Sequence, residues 1–519
     1  DVADGGFTTS ATALTGVSGF EKLKVNGFGN EANTLNLAKI GSFATLVLGS
    51  AIDTTNNLTV NAPGDLTVEI GGTYIGGNDV TFDSGSGTSD SLTITNTATS
   101  GQIGSNATNI IATDYETVTI NTGSYTTAAA QLVKTINVGT NALVLTGSNG
   151  LTTTATTGII TAGSIDASAL TGVLTMNVAA ASGVTSIIGG SGNDTLKGDA
   201  ASTISGGAGN DTIVGGSGND TLNGGVGNDA ITLGGGSDTV VAGSGNDTIS
   251  AAGTLSAADS LDGGAGTDTI ELTNASLSAA AGFSLSDANT FNAAFNNIEK
   301  VKVTDALNQG TFDLDLIDSV SHVILTTISG AETVNNFLSG DTLELTETLG
   351  AAVTVGVKNA ATSTADVLNV ILTDGTGVAE DFTSLAIANV ETINLSTREA
   401  TANASDSAST IGLSITQATG GSAQTLNISG TESVVIDTAI AVGTIDASGM
   451  TLAAVTSNGL TMDSTIHTAS QTITGSTGVD TLYGSSKADT ISGGTGVDTI
   501  YGGGGADTIN GGVGNDNIH

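Results

Sequence analysis

Residues 215–223 read GGSGNDTLN, and this stretch sets a nine-residue beat that few folds can carry. From Asp211 the aspartates recur at Asp220, Asp229, Asp238 and Asp247. Nearer the C-terminus they recur at Asp480, Asp489, Asp498, Asp507 and Asp516. The unit is Gly, Gly, any, Gly, any, Asp, any, aliphatic, any. A short fixed period means that each unit can only bury its apolar side against the next copy, so the repeat dictates a stack.

The chemistry of the unit suggests how the stack is made. Six residues form a tight turn and three a short strand. Glycine belongs where the backbone takes positive φ or approaches another group closely. The aliphatic residue (Leu196, Ile213, Leu222 or Ile249) faces a narrow core. Two units complete a coil, which puts Asp211, Asp229 and Asp247 on one edge and Asp220 and Asp238 on the other. Parallel coils lie about 4.8 Å apart, so each carboxylate comes close to glycine carbonyls of the next coil. Calcium takes about six to eight oxygens at about 2.3–2.6 Å, and such an edge supplies them. The expected ligands are Asp194, Asp211, Asp220, Asp229, Asp238, Asp247, Asp259 and Asp268, then Asp480, Asp489, Asp498, Asp507 and Asp516. The turn glycines are Gly206, Gly209, Gly215, Gly218, Gly224 and Gly227, with Gly493, Gly496, Gly502 and Gly505 in the second array. Stacked carboxylates repel, and glycine-rich turns lose much entropy on ordering. The arrays are therefore expected to fold on binding several calcium ions.

The beat has flaws. Residues 198–205 are one short, and Ser202 stands where an aspartate belongs, which should weaken that site. Leu233 and Ala242 replace first glycines, and Lys487 a third. Residues 85–94 around Asp90 and 339–345 around Asp341 look like degenerate single units; a plain turn and a calcium site are equally good readings of them.

Composition narrows the partners. The chain has 519 residues, with 50 acidic against 10 basic and a formal charge of -40. Phosphate recognition needs Lys and Arg, so nucleic acid is a poor partner, and an anionic membrane surface would repel the chain. No cysteine is present, which rules out disulfides and cysteine zinc sites. No run of about 20 apolar residues suggests a membrane span. Aromatics are only 3 %, so thin β layers of Val, Ile, Leu and Ala suit the chain better than a thick core. No signal peptide is read in this sequence, which starts without Met and stops inside a repeat; a piece of a longer protein is expected.

Outside the arrays, period-two alternation predicts many short strands. Almost no helix is expected; residues 287–295 and 373–388 are the only candidates. A strand opener recurs: Glu21-Lys22-Leu23, Glu116-Thr117-Val118, Glu299-Lys300-Val301, Glu391-Thr392-Ile393, Glu432-Ser433-Val434 and the shorter Glu332-Thr333-Val334. Such internal repetition favours stacked solenoid coils over an ordinary sandwich. The predicted fold is all-β: elongated β-solenoid modules with parallel β-roll calcium-binding arrays. The expected division is a β module at 1–188, an array at 189–271, a second β module at 272–474 and a second array at 475–519. The chain thus reads as one plan used twice.

Catalytic signatures are missing. The histidines are His322, His467 and His519, with no H-E-x-x-H and no G-x-S-x-G. His322 reads as a strand residue facing solvent or a coil neighbour, and His467 as surface. Arg398, the only arginine, is expected to pair with Glu399 or Glu391. No enzyme is expected, and no catalytic residue is assigned.

The units GGAGNDTIV, GGSGNDTLN and GGTGVDTIY resemble the RTX (repeat-in-toxin) family. Thr364-Ala365-Asp366-Val367-Leu368-Asn369-Val370, Asn389-Val390-Glu391-Thr392-Ile393-Asn394 and Ile445-Asp446-Ala447-Ser448 are similar to segments of RTX-bearing S-layer proteins of Gram-negative bacteria. That resemblance implies type I secretion, an extracellular place on the cell surface and calcium-dependent self-assembly into a two-dimensional lattice. It also implies lipopolysaccharide as an anchoring partner, through a region these residues do not carry. The alternatives are the extender region of a large RTX adhesin and the non-catalytic part of a type I secreted exoprotein.

Overall fold

Period-two alternation gives each strand one apolar face, and a strand only three to eight residues long cannot bury that face alone. The computed structural model solves this by stacking coils. It describes residues 21–25, 33–37, 43–48, 57–71, 79–97 without 86, 103, 109–123, 131–153, 159–176, 183–273 without 252–254 and 257, 275–276, 295–307, 311–316, 319–346, 351–358, 365–374, 385–399, 409–416 without 412, 424–436, 442–452, 457–462 and 469–519. Among these residues nearly everything is β, and the strand pairings are parallel. The chain forms two compact units, Asp1–Asp268 and Thr269–His519. Each is a parallel β-solenoid.

In the first unit one sheet runs through Leu66–Ile70, Ser91–Asn96, Thr117–Asn121, Ala142–Gly147 and Ser164–Leu170, then into the array strands Thr203–Ala208, Thr221–Val226 and Thr239–Ser244. The two coils from Thr117–Asn121 to Ile159–Thr161 are three-sided. Ala142–Gly147 is followed by Leu151–Thr153 on a second sheet and Ile159–Thr161 on a third, before Ser164–Leu170 returns to the first. Array coils have only two sides. Thr203 pairs with Thr221, and Thr221 with Thr239, one coil of 18 residues each time. Thr212–Gly216, Ala230–Gly234 and Thr248–Ser250 form the opposite face.

The second unit follows the same plan. Thr392–Glu399, Ser409–Ile411 and Leu413–Thr416 lie on three sheets before Thr425–Gly430 returns to the first. Its array again has two sides, with Thr490–Ser492 and Thr508–Asn510 on one and Val479–Tyr483, Thr499–Tyr501 and Asn517–Ile518 on the other. Tyr483, Tyr501 and His519 stack ring on ring along an outer face, each pair of centroids 4.5 Å apart.

The core is a set of aliphatic ladders. Leu196 and Ile213 are wholly buried, as are Ile204, Leu222 and Val240 on the facing strands. Burying each such side chain contributes about 1.5–3 kcal/mol. The Glu-led openers behave as expected: Thr117–Asn121 alternates between half-buried and buried positions, and Val118 and Ile120 face inward. Leu233 and Ala242, in place of first glycines, also point inward.

Two expectations fall differently. Of the candidate helix at 373–388, Thr373 and Asp374 end a strand and Leu385–Ala388 form another; residues 375–384 lie outside the described residues. Of the candidate at 287–295, only Phe295 is described, in a strand. His467 is likewise outside the described residues. Arg398 pairs with Glu344, two strands away, and not with Glu391, because side chains on one face of a sheet meet across strands; the Glu399 side chain lies outside the described residues. His322 Nε2 lies 3.0 Å from the same carboxylate, so this histidine faces a coil neighbour.

Candidate metal centre

Each array aspartate directly precedes its strand, or in the case of Asp480 is its second residue, so the parallel register places it beside the aspartate one coil on. A single contact repeats down the stack. The backbone N–H of Asp211 donates to Oδ1 of Asp229 at 2.8 Å, and that of Asp229 to Oδ1 of Asp247 at 2.7 Å. On the other edge Asp220 donates to Asp238 and Asp238 to Asp259. In the second unit Asp480 donates to Asp498 and Asp498 to Asp516 on one edge, and Asp489 to Asp507 on the other. Two carboxylate columns thus run along each array. A parallel ladder of asparagines lies outside, with Asn228 N–H on Asn210 and Asn246 N–H on Asn228.

The second carboxylate oxygen divides the aspartates into two groups. Oδ2 of Asp211, Asp220, Asp229, Asp247 and Asp498 is buried and has no hydrogen-bond partner among the described residues. By contrast, Oδ2 of Asp194 accepts the Gly190 N–H, that of Asp259 the Ser256 N–H, that of Asp480 the Ser476 N–H and that of Asp489 the Ser485 N–H. Sequence reasoning missed Ser476 and Ser485. Each occupies the second-glycine position and also donates its hydroxyl to Oδ1 of its aspartate. Their signal was a serine four residues before an aspartate.

The glycines explain the space. A Cβ on Gly206 would press on Asp211 Oδ2 and on the Gly224 carbonyl oxygen. One on Gly224 would press on Asp229 Oδ2 and the Ala242 carbonyl, and one on Gly493 on Asp498 Oδ2 and the Gly511 carbonyl. The first glycine therefore lies over a cradle shared by a carboxylate and a carbonyl of the next coil. The second and third glycines of a turn do the bending: Gly225 and Gly227 have φ of 112° and 133°. The second glycines, which the ligand reading left out, are needed for the turn itself.

Electrostatics strains this arrangement. Burial, with the neighbouring charges of Asp194 and Asp229, pushes Asp211 up to about 7; Asp194's N–H opposes the shift. Burial raises Asp220 to about 6 with help from Asp238, and Asp480 to about 6 with help from Asp498. Asp194, Asp229, Asp238, Asp247, Asp259 and Asp498 are raised for the same first reason. Buried, unpaired carboxylates cost stability unless a cation or a proton joins them. No group of three or more acidic or histidine side chains is gathered among the described residues. The donor set is therefore carboxylate plus backbone carbonyl, an all-oxygen set suited to a hard cation such as calcium.

The molecule thus belongs, by fold and by site chemistry, among parallel β-solenoids with acidic, glycine-turned edges. The RTX calcium-binding nonapeptide repeat family matches residues 181–202, 198–231, 232–253, 255–272, 469–486 and 483–518. These segments are RTX calcium-binding repeats, and multiple calcium ions are their cofactor. They make up less than a third of the chain. No curated protein matches the chain. Among the described residues, no helix is long and apolar enough to cross a membrane.

Proposed function

We propose that this chain is a secreted structural protein, the lattice-forming part of a calcium-dependent bacterial surface layer. The observation that carries the reading is the pair of carboxylate columns running along the coil stack of each array, with buried oxygens that lack partners. Such columns tie rigidity of the coils to extracellular calcium. Asp211, Asp220, Asp229, Asp247 and Asp498 are the ligands this geometry favours most, with carbonyls of the turn glycines completing each site. The four-part division at 188, 271 and 474 belongs to the same reading: solenoid modules give length, and arrays act as calcium clamps. The partner is a second copy of the chain, and lipopolysaccharide enters only by resemblance. RTX repeat folds are typically non-catalytic, which agrees with a structural role.

Electron microscopy of purified protein tests this. Adding millimolar calcium should produce two-dimensional crystals, and chelation should dissolve them. Single extended particles at the same calcium concentration would overturn the lattice and favour an adhesin stalk.

A further inference from the structure

The contact that organises the arrays also appears outside them. In the second unit, Asp366 and Glu391 directly precede the paired strands Val367–Asp374 and Thr392–Glu399. The Asp366 N–H donates to Glu391 Oε2 at 3.0 Å, as each array aspartate donates to the carboxylate one coil on. Both residues are buried, at 5 % and 7 % exposure. Oδ2 of Asp366 is buried without a partner. Neither carboxylate pairs with a basic side chain among the described residues.

The next coils of the same column carry glutamines in place of carboxylates. Register places Gln424 beside Glu391, and the Gln424 amide donates to the Val390 carbonyl at 2.8 Å. Further on, Gln471 donates to the Val442 carbonyl and gives its own N–H to Asp489. A carboxamide is uncharged and can donate, whereas an ionised carboxylate only accepts. Two carboxylates on strands about 4.8 Å apart, both withdrawn from water, with one oxygen left without a donor, offer a place for a cation between them.

The first unit repeats the contact, with both residues half-buried. Ser91 pairs with Thr117, so Asp90 lies beside Glu116. The Asp90 N–H donates to Glu116 Oε2 at 2.6 Å, and Asp90 Oδ2 is buried without a partner. A Cβ on Gly87 would overlap that oxygen. The sequences agree as well: Asp-Ser-Leu-Thr-Ile and Asp-Val-Leu-Asn-Val are each followed one coil later by Glu-Thr and an alternating strand.

We infer that Asp366 with Glu391, and Asp90 with Glu116, form a second class of divalent-cation site, for calcium, outside the nonapeptide arrays. All their side-chain donors are oxygens, and neither histidine nor cysteine is offered, which favours calcium over zinc. The proposal does not depend on lattice formation.

Counting bound calcium on the whole 519-residue chain at saturation tests it, by equilibrium dialysis with metal analysis. Asp366→Asn with Glu391→Gln should remove one calcium per chain, and Asp90→Asn with Glu116→Gln another. Glu391→Gln alone installs the carboxamide that the same column already carries at Gln424 and Gln471, so it should fold and still lose the ion. The circular dichroism change of the arrays on adding calcium should persist in every variant. An unchanged calcium count in the folded variants would overturn the proposal, whether or not the protein forms lattices.

Discussion

At the scale of the residue, identical aspartates differ in what they leave open. Asp229 spends one oxygen on the Asp211 N–H and keeps the other buried and bare. Asp480 has both oxygens occupied, by the N–H of Leu460 and by the N–H and hydroxyl of Ser476. Asp229→Asn should therefore weaken calcium binding at its turn by at least about tenfold, about 1.4 kcal/mol. Asp480→Asn should act mainly on stability, at about 1–3 kcal/mol. Calorimetric titration beside denaturant unfolding separates them, and equal losses of affinity would contradict the division. Glu344 offers a second test. Burial works against its charge, but hydrogen bonds from His322 and Thr373 and the Arg398 charge outweigh this and hold it at about 2. Its folded pKa lies below the ordinary value. The stability it contributes is thus present above about pH 4.5 and lost as pH falls through about 2. Glu344→Gln should cost about 1–3 kcal/mol at neutral pH and progressively less in acid, as urea unfolding of calcium-loaded protein would show.

At the scale of the element, the unit of stability is one turn and its strand. The third glycine cannot be exchanged freely: Gly227 has φ of 133° and lies against the Gly209 carbonyl. Gly227→Ala should destabilise the array by more than about 1 kcal/mol, measured by thermal unfolding in calcium. Leu233 and Ala242 show that two turns accept a side chain at the first position, but at Gly206 and Gly224 a Cβ would press on a carboxylate oxygen and on a carbonyl of the next coil. The turn columns also set a pH response. Asp211, Asp220 and Asp480 have folded pKa values raised to about 7, 6 and 6. For a raised carboxylate, stability is present below the unfolded value of about 3.9 and is lost as pH rises through the folded value. Metal-free arrays should therefore regain β-structure on acidification below about pH 6 and lose it toward neutrality. A circular dichroism titration in chelator with no such trend would refute this. The nine-residue beat made the turn, the inward aliphatic and the aspartate legible in the sequence. Ser476 and Ser485 were not, because their effect depends on a hydroxyl meeting a carboxylate four residues on in a closed turn. Arg398 was misjudged for a related reason: its partner Glu344 is 54 residues away in sequence.

At the scale of the whole molecule, each unit joins coils with nonapeptide turns to coils without them. Strands outside the arrays bury two aliphatics, as Val118 with Ile120 and Leu143 with Leu145, where array strands such as Thr212–Gly216 and Thr221–Val226 bury one. Limited proteolysis in chelator should thus cut preferentially within 189–271 and 475–519, and calcium should protect those segments. Equal cleavage with and without calcium would mean that the arrays fold unaided. The all-β class, the stacked coils and the calcium chemistry could be read from the sequence alone, because a nine-residue period and period-two alternation are local patterns that repeat until they leave one way to pack. Only the tertiary structure decided how many sides each coil has, which aspartate oxygens are already spent, and that Asp366 meets Glu391. Those facts depend on register between strands a full coil apart, and that register is set by how turns of unequal length close, not by any short stretch of chain.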